Sequence, residues 1–586
     1  MFLRLLFLVP ICSAAIYERL ADVPTQDFDY IIVGGGTAGN VLANRLTEHQ
    51  NTSVLVLEAG QSTADVLVSE VPFFCTSATP NTLVDWNFTT TPQSGFNGRS
   101  IHYGRGFGLG GSSAVNYMTY TRGSSQDYDR YASVSGDQGW GWIKMAPYIL
   151  KNERFVPPAD HHNITGEFNP SVHNYDGMTS VSLPEYPQDI DERIIQATAE
   201  LPDEFPFNMD LNSGYHLGIG WHQKTIGNGT RSTSETAYLG HGYVDRKNLH
   251  VLVHAYVTRI LVANASDSVS SPRFDTVEFT QDAGATIQTL SPPNLKEIIL
   301  SAGSIGTPHI LLNSGVGDAD ELSALGISST VHLPDVGKNL TDHPMLNLAW
   351  TVNDTNTIEN VYWRNETYQT EALEEWQANR TGFVANTFSN HQGFLRVEDG
   401  VLEKDPCSGG RTGSFELIFS GGIPSGTIPP TGDYMAMTVV VVCPLSRGSV
   451  TINSTNPLTP PLINPNFLSE AQDMTIMQYG IQKALKFVTA PVWEDYVLAL
   501  ATNITDLEGF IRNETGTTNH PVSTASMSPF NATWGVVDPD LKLKQAVGVR
   551  IVDASVLPFI PAGHTQAAVY GFAERAADLI KGEHTG

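Results

Sequence analysis

The run Asp29-Tyr-Ile-Ile-Val-Gly34-Gly-Gly36-Thr-Ala-Gly39, followed by Val54-Leu-Val-Leu-Glu58-Ala-Gly60, limits the fold more than any other stretch. Tyr30 to Val33 is a short apolar run, as a buried parallel strand requires. Gly34 permits a tight turn, Gly36 lets the backbone approach a pyrophosphate, and Gly39 lets the next helix pack against the strand. Thr37 to Leu46 has helical spacing, with Val41, Leu42 and Leu46 on one face. Its N-terminus, at Thr37, offers free N–H groups and a positive dipole end to phosphate. Val54 to Leu57 is a second strand, and Glu58 ends it where an acid accepts hydrogen bonds from adenosine ribose hydroxyls. Strand, glycine loop, helix, strand and acid in this order predict a dinucleotide-binding α/β fold. Glu58 argues against a 2′-phosphate and hence against NADP; the motif leaves NAD and FAD open.

At 586 residues the chain exceeds one ordinary hydrophobic core, so two domains are expected. A net charge of −28 disfavours nucleic acid and anionic membrane as partners and suits a protein stable in acidic surroundings. Residues 1–15 read as a secretory signal, with Arg4 as basic flank, Leu5 to Ile11 as apolar core and Ser13-Ala-Ala15 as cleavage site. The apolar core is too short to span a bilayer. Asn-x-Ser/Thr sequons at Asn51, Asn87, Asn163, Asn228, Asn264, Asn353, Asn365, Asn379, Asn453, Asn503 and Asn513 agree with a secreted, extracellular glycoprotein. Cys75, Cys407 and Cys443 lie beyond that signal and allow one disulfide; Cys407–Cys443 is singled out as a guess.

Along the chain, strand and helix alternate over the first hundred residues. Tyr103 to Asn116 is then too glycine-rich for regular structure. Residues 141–154 look helical and 155–215 loop-rich. Strands are expected at Leu249–Val253, Tyr256–Val262 and Glu297–Leu300, the last leading into Ser301-Ala-Gly-Ser-Ile-Gly-Thr-Pro308. Met435 to Val442 suits a large antiparallel sheet. Val549–Val552 ends at Asp553, and Gln566–Ile580 is an amphipathic helix. The expected architecture is a discontinuous Rossmann-like α/β domain (27–65, 100–150, 216–330 and 515–581) and an α+β substrate domain (66–99, 151–215 and 331–514). A serine hydrolase is disfavoured, since Ala302-Gly-Ser304-Ile-Gly306 lacks the first glycine of G-x-S-x-G. A metal enzyme is disfavoured as well: His161, His162 and His173 lack H-E-x-x-H spacing.

Gly110-Gly-Ser-Ser-Ala-Val-Asn116, Gly303-Ser-Ile-Gly-Thr-Pro308 through Gly317, His520-Pro and His564-Thr-Gln complete a pattern with the N-terminal fingerprint. From about residue 27 to 581 the chain resembles the glucose–methanol–choline (GMC) oxidoreductases, most of all fungal aryl-alcohol oxidases and, a little less, pyranose dehydrogenases. The resemblance implies FAD, a substrate domain on an antiparallel sheet, and hydride transfer from a primary, aryl or sugar alcohol to flavin N5. Oxygen or a quinone would then take the electrons. It implies His520 as base and His564 as the residue that positions the hydroxyl, a role that imidazoles fill well near neutral pH. Asn116 would lie by the flavin's central ring. Gly110, Gly111 and Ser112 would give the ring and ribityl chain room, and Asp553, Ala554 and Thr565 would lie near the ring, where a helix N-terminus stabilises negative charge. Val257 would hold adenine through its backbone. Tyr117, Asn519 and Phe419 are the expected substrate contacts.

The chain departs from the family's pattern at several points. Phe107 replaces a basic residue, though Arg105 is near. Val115 stands where covalently flavinylated members carry His, so FAD is expected to be non-covalent. Asn519 replaces an aromatic, and the loop Ser420-Gly-Gly-Ile-Pro lacks one. A polar pocket follows, which favours a sugar or another polar alcohol. The alternatives are a pyranose dehydrogenase and an FAD-containing hydroxynitrile lyase.

Overall fold

A computed structural model describes residues 16–24, 27–240, 242–263, 271–424 and 426–584. The expected signal and the sequon at Asn264 lie outside them. Six parallel strands form one sheet in the order Ile16–Tyr17, Leu249–Leu252, Val54–Leu57, Tyr30–Val33, Glu297–Leu300, Val549–Ile551. Tyr30–Val33, Val54–Leu57 and Glu297–Leu300 are buried throughout, as a sheet covered on both faces demands. The helices Gly39–Leu46 and Trp142–Asn152 both pack against the long final helix Thr565–His584. Buried Arg45 of the first helix pairs with buried Glu574 of the last at 2.8 Å, and Arg550 pairs with Glu297 across neighbouring strands at 2.8 Å. The edge strand Ile16–Tyr17 lies ahead of the expected start of the α/β domain at 27.

The second sheet runs His391–Leu395, Phe415–Ser420, Tyr434–Val441, Pro344–Val352, Val497–Leu500, antiparallel throughout. Its side chains alternate. Phe415, Leu417, Phe419, Met437, Val439 and Leu348 share a core with Ile481 and Phe487 of the helix Ala471–Phe487. Met345, Asn347, Ile418 and Thr438 stand on the opposite face and line a cavity. The short strand Gly516–Thr517 pairs with Pro344–Met345 and leads straight to His520. Cys407 and Cys443 form a disulfide, with Cα atoms 5.3 Å apart, and Cys75 is free and buried. Among the described residues no helix is long and apolar enough to cross a membrane.

Candidate active site

A cavity of about 400 Å³ lies between the carboxyl ends of the parallel strands and the face of the antiparallel sheet that carries Met345, Asn347, Ile418 and Thr438. Crevices at strand carboxyl ends are the usual ligand sites of open α/β sheets.

The fingerprint glycines have three separate duties. A Cβ on Gly34 (φ +101°) would meet the Ser301 carbonyl at 2.5 Å, and one on Gly39 would meet the Gly34 carbonyl at 1.9 Å, so both serve close backbone packing. Gly36 differs: its Cβ would find only Gly111 Cα, at 3.7 Å, and would stand in the cavity. Gly34, Gly36, Thr37, Gly111 and Ser112 line the cavity, whereas Gly39 and Gly110 lie behind its wall. Buried Glu58 accepts the Gly35 N–H at 2.8 Å and the Gly60 N–H at 2.9 Å, which leaves lone pairs for ribose hydroxyls. Burial raises its pKa, and those two N–H groups oppose the rise. Val257 lines the wall beside Tyr256. Trp86 and Phe88, from a stretch expected on the substrate side, stack at 5.5 Å, with Trp86 edge-on to Tyr256 at 5.8 Å. These aromatics were missed in the sequence; their i, i+2 spacing on an extended segment was the available signal.

At the other end the rings of His520 and His564 lie 4.7 Å apart at 78°. The backbone N–H of His520 donates to Asp342 Oδ1 at 2.7 Å, and the same carboxylate accepts from Tyr103 Oη and Thr517 Oγ1, each at 2.6 Å. His520 Nδ1 is 2.9 Å from Thr518 Oγ1 and 3.1 Å from His343 Nδ1. Burial, then the charges of His564, His343 and Arg105, drives the His520 pKa well below its ordinary value. The backbone N–H of His564 donates to Thr121 Oγ1 at 2.7 Å, and the ring Nε2 is 3.1 Å from Oε1 of buried Glu416. Glu416, a partner 148 positions away, was missed in the sequence.

Thr565 opens the final helix at the cavity wall, and Asn116 Nδ2 donates to Gln566 Oε1 at 2.7 Å. Asp553 and Ala554 line the wall as well. The Asp553 carboxylate is committed to the Gly303 N–H at 2.9 Å and Thr307 Oγ1 at 2.6 Å, so it anchors the helix Gly303–Asn313. Arg105 lines the cavity and donates to the backbone carbonyl of Asn519. Asn519 itself lines the cavity with its backbone at φ +60°, and its Oδ1 is buried without a hydrogen-bond partner. Tyr117 is 39% exposed and meets Phe388 edge-on at 5.5 Å, so these rings stand at an opening. Phe419 is a correction: it points into the core, 4.9 Å from Phe487, because the strand's alternation turns Ile418 to the cavity instead. The cavity floor also carries Asn347, whose Oδ1 accepts from Thr438 Oγ1 at 2.5 Å. His222, with Nε2 2.8 Å from Thr119 Oγ1, is another wall residue missed in the sequence.

A glycine-lined, acid-terminated dinucleotide crevice that ends at a histidine pair defines a dinucleotide-dependent oxidoreductase. The GMC oxidoreductase family models match residues 28–345 and 444–573, and the chain belongs to that family. It is an FAD-dependent oxidoreductase acting on CH–OH donors. It is 41% identical to the dehydrogenase eriK of Hericium erinaceus, over 98% of this chain and 97% of that protein. It is 39% identical to a pyranose dehydrogenase of Agaricus campestris, over 97% of this chain and 96% of that one. Among solved structures, formate oxidase superposes with a TM-score of 0.86 at 29% identity, covering 96% and 99% of the two chains. A fungal aryl-alcohol oxidase superposes with a TM-score of 0.80 at 26% identity, covering 96% and 100%.

Proposed function

We propose that the protein oxidises an alcohol that carries further polar groups, a sugar hydroxyl before a plain benzylic alcohol, with His520 as base and non-covalent FAD. One observation carries this reading: the cavity that holds the His520–His564 pair is also lined by the polar side chains Asn519, Asn347 and Thr438, which stand beside Met345 and Ile418.

The residues suit FAD. Gly36 leaves a place that any side chain would fill, Glu58 keeps free lone pairs, and Val115 offers no nucleophile for attachment. Bound there, FAD supplies the hydride acceptor. Thr518 Oγ1 donates to the His343 carbonyl at 3.2 Å, so its lone pairs accept the His520 Nδ1 proton. His520 Nε2 is then an unprotonated acceptor for the substrate's hydroxyl proton, a state that burial favours. Glu416 holds His564 through Nε2 and leaves Nδ1 as the ring atom available to the hydroxyl. Division into FAD-binding and substrate domains at the boundaries given above is part of this proposal. So is secretion as a glycoprotein, which is supported by the exposure of the sequon asparagines Asn51, Asn87, Asn163, Asn228, Asn353, Asn365, Asn379, Asn453, Asn503 and Asn513.

The test is anaerobic flavin bleaching by benzylic, aliphatic and sugar alcohols, followed by air, which distinguishes oxygen from a quinone as acceptor. Sugars should bleach fastest, and acid precipitation should release the FAD. A flavin that stays oxidised with every alcohol would favour the lyase reading.

A further inference from the structure

Among the described residues five arginines are less than a tenth exposed: Arg45, Arg122, Arg231, Arg550 and Arg575. Four of them pair with an acid, respectively Glu574, Glu153, Glu297 and Asp137. Arg231, 2% exposed, is the exception. It pairs with no carboxylate among the described residues, and its Nε and Nη2 have no hydrogen-bond partner. Its Nη1 donates to the Asn116 carbonyl at 2.5 Å, to Asn116 Oδ1 at 3.0 Å and, more weakly, to the Ser113 carbonyl at 3.4 Å. Burial lowers its pKa to about 10, which leaves it charged at neutral pH. Cys75, the titratable group that acts on it, does not neutralise it, being a buried thiol whose own pKa is pushed up to about 11. Lys224, the other cation acting on Cys75, is also buried, and its Nζ donates to Asn386 Oδ1 at 2.9 Å.

An unpaired buried charge is costly and persists where something offsets it. The wall that Arg231 braces says what that is. Ser113 and Asn116 both line the cavity, and Asn116 bridges Arg231 to Gln566 at the N-terminus of the final helix. The guanidinium therefore stands one residue behind the part of the wall where the flavin ring would lie.

We infer that Arg231 is an electrostatic positioning residue, an uncompensated cation behind the wall that favours the negative charge which reduction brings to the flavin, and so raises its potential. This rests on the reading of the cavity as the flavin site. The charge adds to the dipole of the helix that opens at Thr565 and, unlike the dipole, can be removed by one substitution.

The test uses the FAD-loaded enzyme and its Arg231→Lys, Arg231→Gln and Arg231→Met variants, with midpoint potentials read against a reference dye under chemical reduction. The two neutral variants should bind FAD and show at least a tenfold shift toward oxidised flavin, a drop of about 30 mV for a two-electron couple. Arg231→Lys should stay within about threefold of wild type (~14 mV). Neutral variants that titrate like wild type overturn the proposal. So does a lysine variant as low as the neutral ones, which would trace the effect to lost hydrogen bonds. Failure of both neutral variants to fold or retain FAD would overturn it equally, by assigning Arg231 to the framework. No substrate is needed, so an enzyme that no alcohol reduces would break the functional reading and leave this comparison standing.

Discussion

Asn519 holds a left-handed backbone position immediately before the proposed base, and Arg105 clamps its carbonyl. Asparagine adopts that conformation more readily than an aromatic residue does. Asn519→Phe should therefore destabilise the fold by about 1–2 kcal/mol, but that loss cancels in a ratio of two substrates on one enzyme. The ratio of kcat/KM for a benzylic alcohol over a sugar should rise roughly three- to tenfold, the scale of one stacking contact. An unchanged ratio with FAD retained means that the side chain does not meet substrate. His520→Ala should keep FAD and slow anaerobic flavin reduction by at least ~10²; reduction at the wild-type rate would remove His520 from the chemistry. Two glycines separate fold from cofactor. Gly36→Val should melt near wild type without FAD yet fail to retain it, whereas Gly39→Val should unfold at lower temperature, since its side chain meets the Gly34 carbonyl. Equal melting losses in both would contradict this division.

A buried ion pair reinforces the packing of the helices Gly39–Leu46 and Thr565–His584. Glu574 accepts from Arg45 Nη2, from Tyr238 Oη at 2.8 Å and from Lys151 at 3.0 Å. Glu574→Ala takes from Arg45 its buried acid, leaving it only the more exposed Glu48 at 3.0 Å, and should cost about 3 kcal/mol. Adding Arg45→Met should recover part of that, whereas simple additivity in denaturant melts would show that the pair is not coupled. Elements like these differ in how far the sequence exposes them. Tyr30–Val33 and Val54–Leu57 are consecutive apolar runs ending in diagnostic residues, and they are read directly. Ile16–Tyr17 is two residues long and carries no period at all. Phe419 failed for another reason: Phe415, Leu417 and Phe419 already share one phase of the alternation, but which phase faces the cavity depends on the helix Ala471–Phe487, far along the chain. The Glu416–His564 and Arg231–Asn116 contacts join positions 148 and 115 apart, and no local pattern encodes them.

Taken over the whole molecule, acid tolerance is a contest. The acidic composition suggests stability at low pH, but burial pushes His216 and His343 to about 3 and His309 to about 4. In the unfolded chain these rings titrate near 6.5. Below that pH the unfolded chain binds protons that the folded chain refuses, so each such histidine destabilises by about 1.4 kcal/mol per pH unit as pH falls. Buried Glu185 and Asp127, raised to about 8 and about 6, act in the opposite sense. One group can be isolated. His216 accepts the Gly413 N–H at 2.8 Å, and His216→Gln keeps an acceptor but does not titrate. Relative to wild type the variant should gain about 1.4 kcal/mol per unit from pH 6 to 4; a difference that does not vary with pH would place His216 outside the acid response.

The parallel sheet bears on biogenesis too. Its strand Glu297–Leu300 lies between Tyr30–Val33 and Val549–Ile551, so the fingerprint strand shares a neighbour with a strand some five hundred residues later. On the ribosome the N-terminal fingerprint emerges some five hundred residues before Val549–Ile551 can complete that edge. Five of the parallel sheet's six strands are made by residue 300 and can pair before the antiparallel sheet of residues 344–500 is synthesised; the edge of Glu297–Leu300 alone must wait for Val549–Ile551, open to aggregation. A polypeptide stopped short of residue 549 would lack both the edge strand and the helix that opens at Thr565, so the wall that carries His564 is complete only after both sheets have been synthesised.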